Sequence, residues 1–239
     1  MFRSGSTCAI ALLIASFVAT SQANAAFYLF TGTSADGHAV SGSANFTLGV
    51  GTVTVQLTNL TALTLDAGEL FTGIDFSFGG LTPSLFSASG VQRNVDKDGG
   101  FVDSGSPQNI SWSIESPSSG IYQLNFHDDA TDSIIGPPTD GSYSGATGSI
   151  KGNKGHNPFV AETATFVLNV PGLSLTSPVN VTTFRYGTTL QPATGNIIPL
   201  ISTPVPEPAT WMTWGGICAI GLVIFYVRRA GAKAAKSGA

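Results

Sequence analysis

The chain has 239 residues, of which only 10% are charged and 42% are hydrophobic, and it carries 29 glycines. That charge content is far below the ~25% usual in soluble proteins, and the apolar fraction excludes a disordered chain. Residues 26–204 hold ten Asp and three Glu against three Lys and two Arg, a net charge of −8, which excludes nucleic acid as a partner because phosphate needs a basic patch and disfavours an anionic lipid surface.

The chain opens on an export signal. Met1-Phe2-Arg3 is a short positive region, Cys8–Thr20 is mostly apolar, and Ala23-Asn24-Ala25 is an A-x-A cleavage site. Cleavage is expected between Ala25 and Ala26, which makes signal peptidase and the general secretion machinery partners and residues 1–25 a signal peptide. The two cysteines are Cys8, lost with that signal, and Cys218, inside a later apolar run. Residues 26–204 therefore have no disulfide, no Cys-based zinc site and no cysteine nucleophile.

Residues 26–197 read as one all-β domain. Phe27–Thr33 and Ala39–Leu48 are β-rich, and Val53, Val55 and Leu57 alternate with Thr52, Thr54 and Gln56. The same period of two recurs at Thr72-Ile74-Phe76-Phe78, Ile110-Trp112-Ile114, Tyr122-Leu124-Phe126 and Ala164-Phe166-Leu168-Val170, and Val179–Gly187 is a further β-rich run. Turn signals separate these runs, among them Gly79-Gly80, Asp98-Gly99-Gly100, Ser118-Ser119-Gly120 and Pro171-Gly172. Ile114–Ile121 reads as a hairpin loop. Eight to ten strands of this kind predict an antiparallel β-sandwich or jelly roll. Asp128–Pro158 is the least strand-like stretch, a long loop or two irregular edge strands at Ser142–Tyr143 and Ser149–Ile150.

Candidate chemistry is sparse. Asn94, Asp96 and Asp98, followed by Gly99, match the first half of a Ca2+ loop, but position 12 is Gly105 in place of a bidentate Glu, so an ordinary Asp/Gly turn is the preferred reading. Asp128, Asp129 and Asp132 read as a solvated acidic loop. His38, His127 and His156 lack zinc-ligand spacing, no G-x-S-x-G elbow occurs, and Glu69, Glu115 and Glu162 are a thin supply for glycoside hydrolysis. Trp112 shares a face with Ile110 and Ile114 and reads as core, which leaves Tyr143 and Tyr186 as uncommitted stacking platforms for sugar. Neither an enzyme nor a bound cofactor is expected.

Residues 198–208 read as a proline-rich spacer ending in Val205-Pro206-Glu207-Pro208. Trp211–Val227 is an uncharged run of 17 residues, about 25 Å as a helix and at the short end of what a bilayer requires. Arg228 and Arg229, with Lys233 and Lys236 in the tail at 230–239, place the C-terminal side in the cytoplasm. Residues 209–229 thus read as a transmembrane helix with a basic stop. The Val205–Pro208 motif, the apolar span and the Arg pair, in this order, resemble the PEP-CTERM sorting signal of Gram-negative bacteria. The resemblance implies recognition by an exosortase, cleavage near Glu207 and passage from a single-pass inner-membrane precursor to the cell surface or extracellular matrix, in a setting of exopolysaccharide and biofilm. It transfers no activity to residues 26–204, whose expected role is structural or adhesive, with exopolysaccharide binding as the alternative.

Overall fold

A computed structural model describes residues 24–126, 131–138 and 140–201. Ala23, His127, Asp128, Asp129, the sorting motif Val205–Pro208, the apolar span and Arg228-Arg229 lie outside the described residues. The described chain is all-β, with one short 3-10 turn at Ala67–Glu69. Its strands are β1 (Asn24–Thr33), β2 (Ala39–Leu48), β3 (Thr52–Asn59), β4 (Phe71–Ser77), β5 (Ser84–Val95), β6 (Phe101–Asn109), β7 (Trp112–Ser118), β8 (Ile121–Phe126), β9 (Ile134–Ile135), β10 (Phe159–Asn169), β11 (Asn180–Tyr186) and β12 (Thr194–Ile201).

Two antiparallel layers account for most of these. One runs β12-β1-β2-β3-β10-β5-β6 and the other β11-β4-β8-β7. The two-residue β9 joins them, parallel to β10 at Ile134↔Val160 and antiparallel to β4 at Ile134↔Phe71, which makes the hydrogen-bonded whole a single mixed sheet folded into a sandwich-like form.

Strand alternation explains the layering. On β3, Val53, Val55 and Leu57 are buried while Thr52 and Gln56 are exposed, and β10 buries Ala164, Phe166 and Leu168 in the same way. Aromatic pairs bind one layer to the other: Phe30 of β1 stacks on Phe184 of β11 at 5.0 Å, Phe46 of β2 meets Phe76 of β4 edge-on at 5.5 Å, and Trp112 of β7 lies 4.9 Å from Phe166 of β10. Each buried ring removes enough apolar surface to contribute about 2–3 kcal/mol.

Two boundaries shift from the sequence reading. Ile198–Ile201 belong to β12 and not to a spacer; Pro199 is accommodated because β12 is an edge strand, where a missing backbone donor costs no ladder bond. The predicted long loop is not a surface excursion either. Ser149–Ile150 is a turn, and Tyr143 and Ile150, both fully buried, form a second core with Leu70, Val95, Ile135 and Phe159.

Candidate functional site

The terminal strands lie side by side. Ala26 stands opposite Ile201 and Thr33 opposite Thr194, while Asn24 and Ala25 are in register with Leu48 and Thr47 of β2. β1 forms because Tyr28 and Phe30 turn into the core while its backbone is paired on both sides. Its contact with β12 is close: at Gly32 and Gly195 an added methyl would run into Thr194 and Thr31 backbone oxygens respectively. Cleavage between Ala25 and Ala26 would put the new N-terminus next to the residue from which the chain continues toward Val205. A shallow groove of about 210 Å³ at this corner is lined by Asn24–Tyr28, Pro199 and Leu200 and holds no titratable side chain except Tyr28.

The Ca2+ candidates form a hairpin turn. Asn94 belongs to β5, opposite Val102 of β6. Asp96 Oδ1 accepts the backbone N–H groups of Asp98 at 2.8 Å and Gly100 at 2.9 Å, and Asp98 points to Lys97 at 3.6 Å in solvent. The turn also receives the neighbouring segment, since Tyr143 N–H donates to Gly99 O at 2.8 Å. Among the described residues no group of three or more His, Cys, Asp or Glu is placed to hold a metal.

The most developed polar cluster centres on Arg93, which the sequence reading did not single out. Its guanidinium forks onto Asp103 at 2.7 and 2.8 Å, donates to the Tyr143 hydroxyl at 3.0 Å, approaches Glu162 at 3.4 Å and lies 4.2 Å over the Phe101 ring. Burial acts to lower the Arg93 pKa, but the bonds to Asp103 and Tyr143 outweigh it and raise it. The same pairing holds the Asp103 carboxyl below its ordinary value. Burial pushes the Tyr143 phenol up; its hydroxyl donates to Gly136 O at 2.7 Å. The cluster is a latch that ties β5, β6 and the 140s segment together. Arg93 is one of two arginines in residues 26–204 and carries no local sequence signal, since its carboxylate partners lie on other strands.

The remaining candidates are dispersed. His38 sits 3.8 Å from Asp66 and 3.5 Å from Glu69, whose other oxygen accepts from Leu65 N–H; Asp66 and Glu69 cap the 3-10 turn reciprocally, and the Gly68 N–H is the largest cause of the lowered Asp66 pKa. His156 Nδ1 contacts Ser149 O at 2.7 Å, on a different loop. Glu69, Glu115 and Glu162 occupy the 3-10 turn, exposed β7 and a β10 bulge, so they form no facing pair. Asp132 departs from the solvated reading: it is buried, with Oδ2 accepting from Ser111 N–H at 2.8 Å, Oδ1 from Gln92 at 3.1 Å, and its carbonyl from Trp112 Nε1 at 2.9 Å. Trp112 is core as expected. Tyr143 and Tyr186 are core too, which removes both as sugar platforms.

No known protein family, curated protein or solved structure matches this chain. The PEP-CTERM resemblance therefore stands on the residues that carry it, Val205–Pro208, Trp211–Val227 and Arg228-Arg229. Among the described residues no helix is long and apolar enough to cross a membrane.

One extended surface remains. Across the outer face of the seven-stranded layer, Asn45, Gln56, Thr165 and Ser89 stand in one cross-strand row and Thr47, Thr54, Val167 and Ser87 in the next. Neither row contains a charge, and Thr58 and Thr163 hydroxyls meet at 3.1 Å beside them. Phe86, 71% exposed, lies on β5 at the start of this face. Such rows offer hydroxyl and amide hydrogen bonds to an uncharged polar ligand, with no nucleophile–base pair.

Proposed function

We propose that this chain is a non-enzymatic exported protein whose all-β domain is displayed outside the cell, tethered until an exosortase processes its C-terminal PEP-CTERM segment. The observation that carries this reading is the ordered succession of Val205-Pro206-Glu207-Pro208, an uncharged 17-residue run and Arg228-Arg229, in a chain whose first 25 residues have the basic, apolar and A-x-A pattern expected of an export signal. The adjacency of Ala26 and Ile201 supports it, because the residue after the expected signal cleavage then lies beside the last described residue before the sorting motif. Among the described residues, the dispersal of the candidate catalytic groups supports a structural or adhesive role over hydrolysis. Expression with and without an exosortase tests the reading: a smaller, released product only in its presence is expected, and equal mass and membrane retention in both strains overturns it.

The uncharged rows on the seven-stranded layer favour a second reading, a module binding neutral exopolysaccharide. The signal-processed protein on a glycan array would bind uncharged polymers, and Thr54→Asp with Gln56→Asp would abolish the signal; no binding with or without Ca2+ removes this reading.

A further inference from the structure

The charges of the sandwich are gathered toward one end. The end that carries Ala26 and Ile201 also holds the β2–β3 turn (49–51), the β4–β5 turn (78–83), the β7–β8 turn (119–120) and the β10–β11 connection (170–179). The Tyr28 hydroxyl donates to Val179 O at 2.6 Å, and Phe46 packs on Phe76 and Phe78, which fixes the two layers in common register at this end. None of those connections contains Asp, Glu, Lys, Arg or His. The nearest charged side chains by sequence are Asp75 of β4, buried and ion-paired with Arg185 of β11, and Glu115, partway along β7. Asp36, His38, Asp66, Glu69, Asp96, Lys97, Asp98, Lys151, Lys154 and His156 lie in connections at the opposite end.

The uncharged end also exposes apolar side chains. Val50 is 79% exposed at the β2–β3 tip, and Ile198 and Leu200 of β12 are 47% and 43% exposed. Glu207 lies six positions beyond Ile201, a reach of at most about 20 Å.

We infer that this uncharged end lies against the lipid headgroup surface while the chain is tethered, with the acidic end directed away from it. The inference rests on the proposed C-terminal tether. A short tether leaving from this end brings it to the bilayer first, and its uncharged loops meet anionic headgroups without like-charge repulsion. The acidic end is displaced by a strand length, about 30 Å for ten residues, several times the ~8 Å Debye length. The net charge that argues against a lipid surface for the domain as a whole is therefore carried where the bilayer does not sense it.

The test uses the full chain with Cys8→Ser and Cys218→Ser, reconstituted into phosphatidylethanolamine–phosphatidylglycerol vesicles containing a headgroup-nitroxide lipid. A bimane probe is placed at Val50→Cys, Thr176→Cys or Asp98→Cys in turn. Expected is co-flotation with the vesicles, loss of most bimane fluorescence at positions 50 and 176, and little loss at 98. Co-flotation with equal quenching at all three positions overturns the inference and leaves the tether standing. Failure to float overturns the tether and the inference with it.

Discussion

Tyr186 is fully buried against Phe30 and Phe71, yet its hydroxyl has no hydrogen-bond partner among the described residues. A buried unpaired hydroxyl costs about 1–3 kcal/mol. Tyr186→Phe removes the penalty and keeps the ring, so it should raise the melting temperature by about 2–6 °C for a domain of this size; a fall on calorimetry would show that the hydroxyl is satisfied. The opposite case is the ion pair of Asp75 and Arg185, bonded at 2.9 and 2.6 Å with both side chains mostly buried. Asp75→Ala leaves a buried cation whose remaining hydrogen bond among the described residues is to Leu190 O, and should cost about 3 kcal/mol in urea unfolding. Asp103 sets a pH dependence. Its folded pKa is depressed by Arg93, so its contribution is fully present above the unfolded carboxyl value near 3.9 and is lost as pH falls through the folded value. The stability difference between the native chain and Asp103→Asn should therefore shrink on acidification below about pH 4; a difference that stays constant or grows contradicts the pairing.

At the scale of elements, the β1–β12 ladder depends on glycine. An added methyl at Gly195 would meet Thr31 O, the Gly32 Cα and the Phe30 ring, so Gly195→Val should push the edge strand away. Faster backbone exchange confined to β12 and β1 is the expected outcome, with the Phe46 core intact. Strand legibility follows the same physics. Ala39–Leu48 is legible residue for residue, and β3, β8 and β10 within a few positions, because apolar and polar residues alternate along each; on β8 the polar residues Gln123 and Asn125 are buried as well. β5, β6 and β12 are not. β5 carries Gly90 and two register shifts against β10 that break the alternation, every residue of β6 after Phe101 is exposed, and β12 carries Pro199 at an edge. The Arg93 latch was equally invisible, since Asp103 and Glu162 come to it from two other strands. Tyr143 stays uncommitted in the sequence because its loop neighbours are polar and its partners, Phe101 and Phe159, are distant in sequence.

At the scale of the molecule, the parts answer to one arrangement. A disulfide-free sandwich held by aromatic pairs presents uncharged rows on one broad face and an acidic set of loops at one end, and its first and last described strands meet at the other end. The proposed sorting segment begins a few residues beyond that meeting point. Glu207 is central to the account: a plain anchor has no use for a glutamate between two prolines, whereas a recognition motif does. The direct measurement is intact mass of the chain recovered from an exosortase-containing Gram-negative host, wild type beside Glu207→Ala. The account predicts that the wild type is shortened at a bond near Glu207 and leaves the membrane, and that Glu207→Ala keeps its C-terminal segment and stays. Two products of equal processed state and equal location would contradict it.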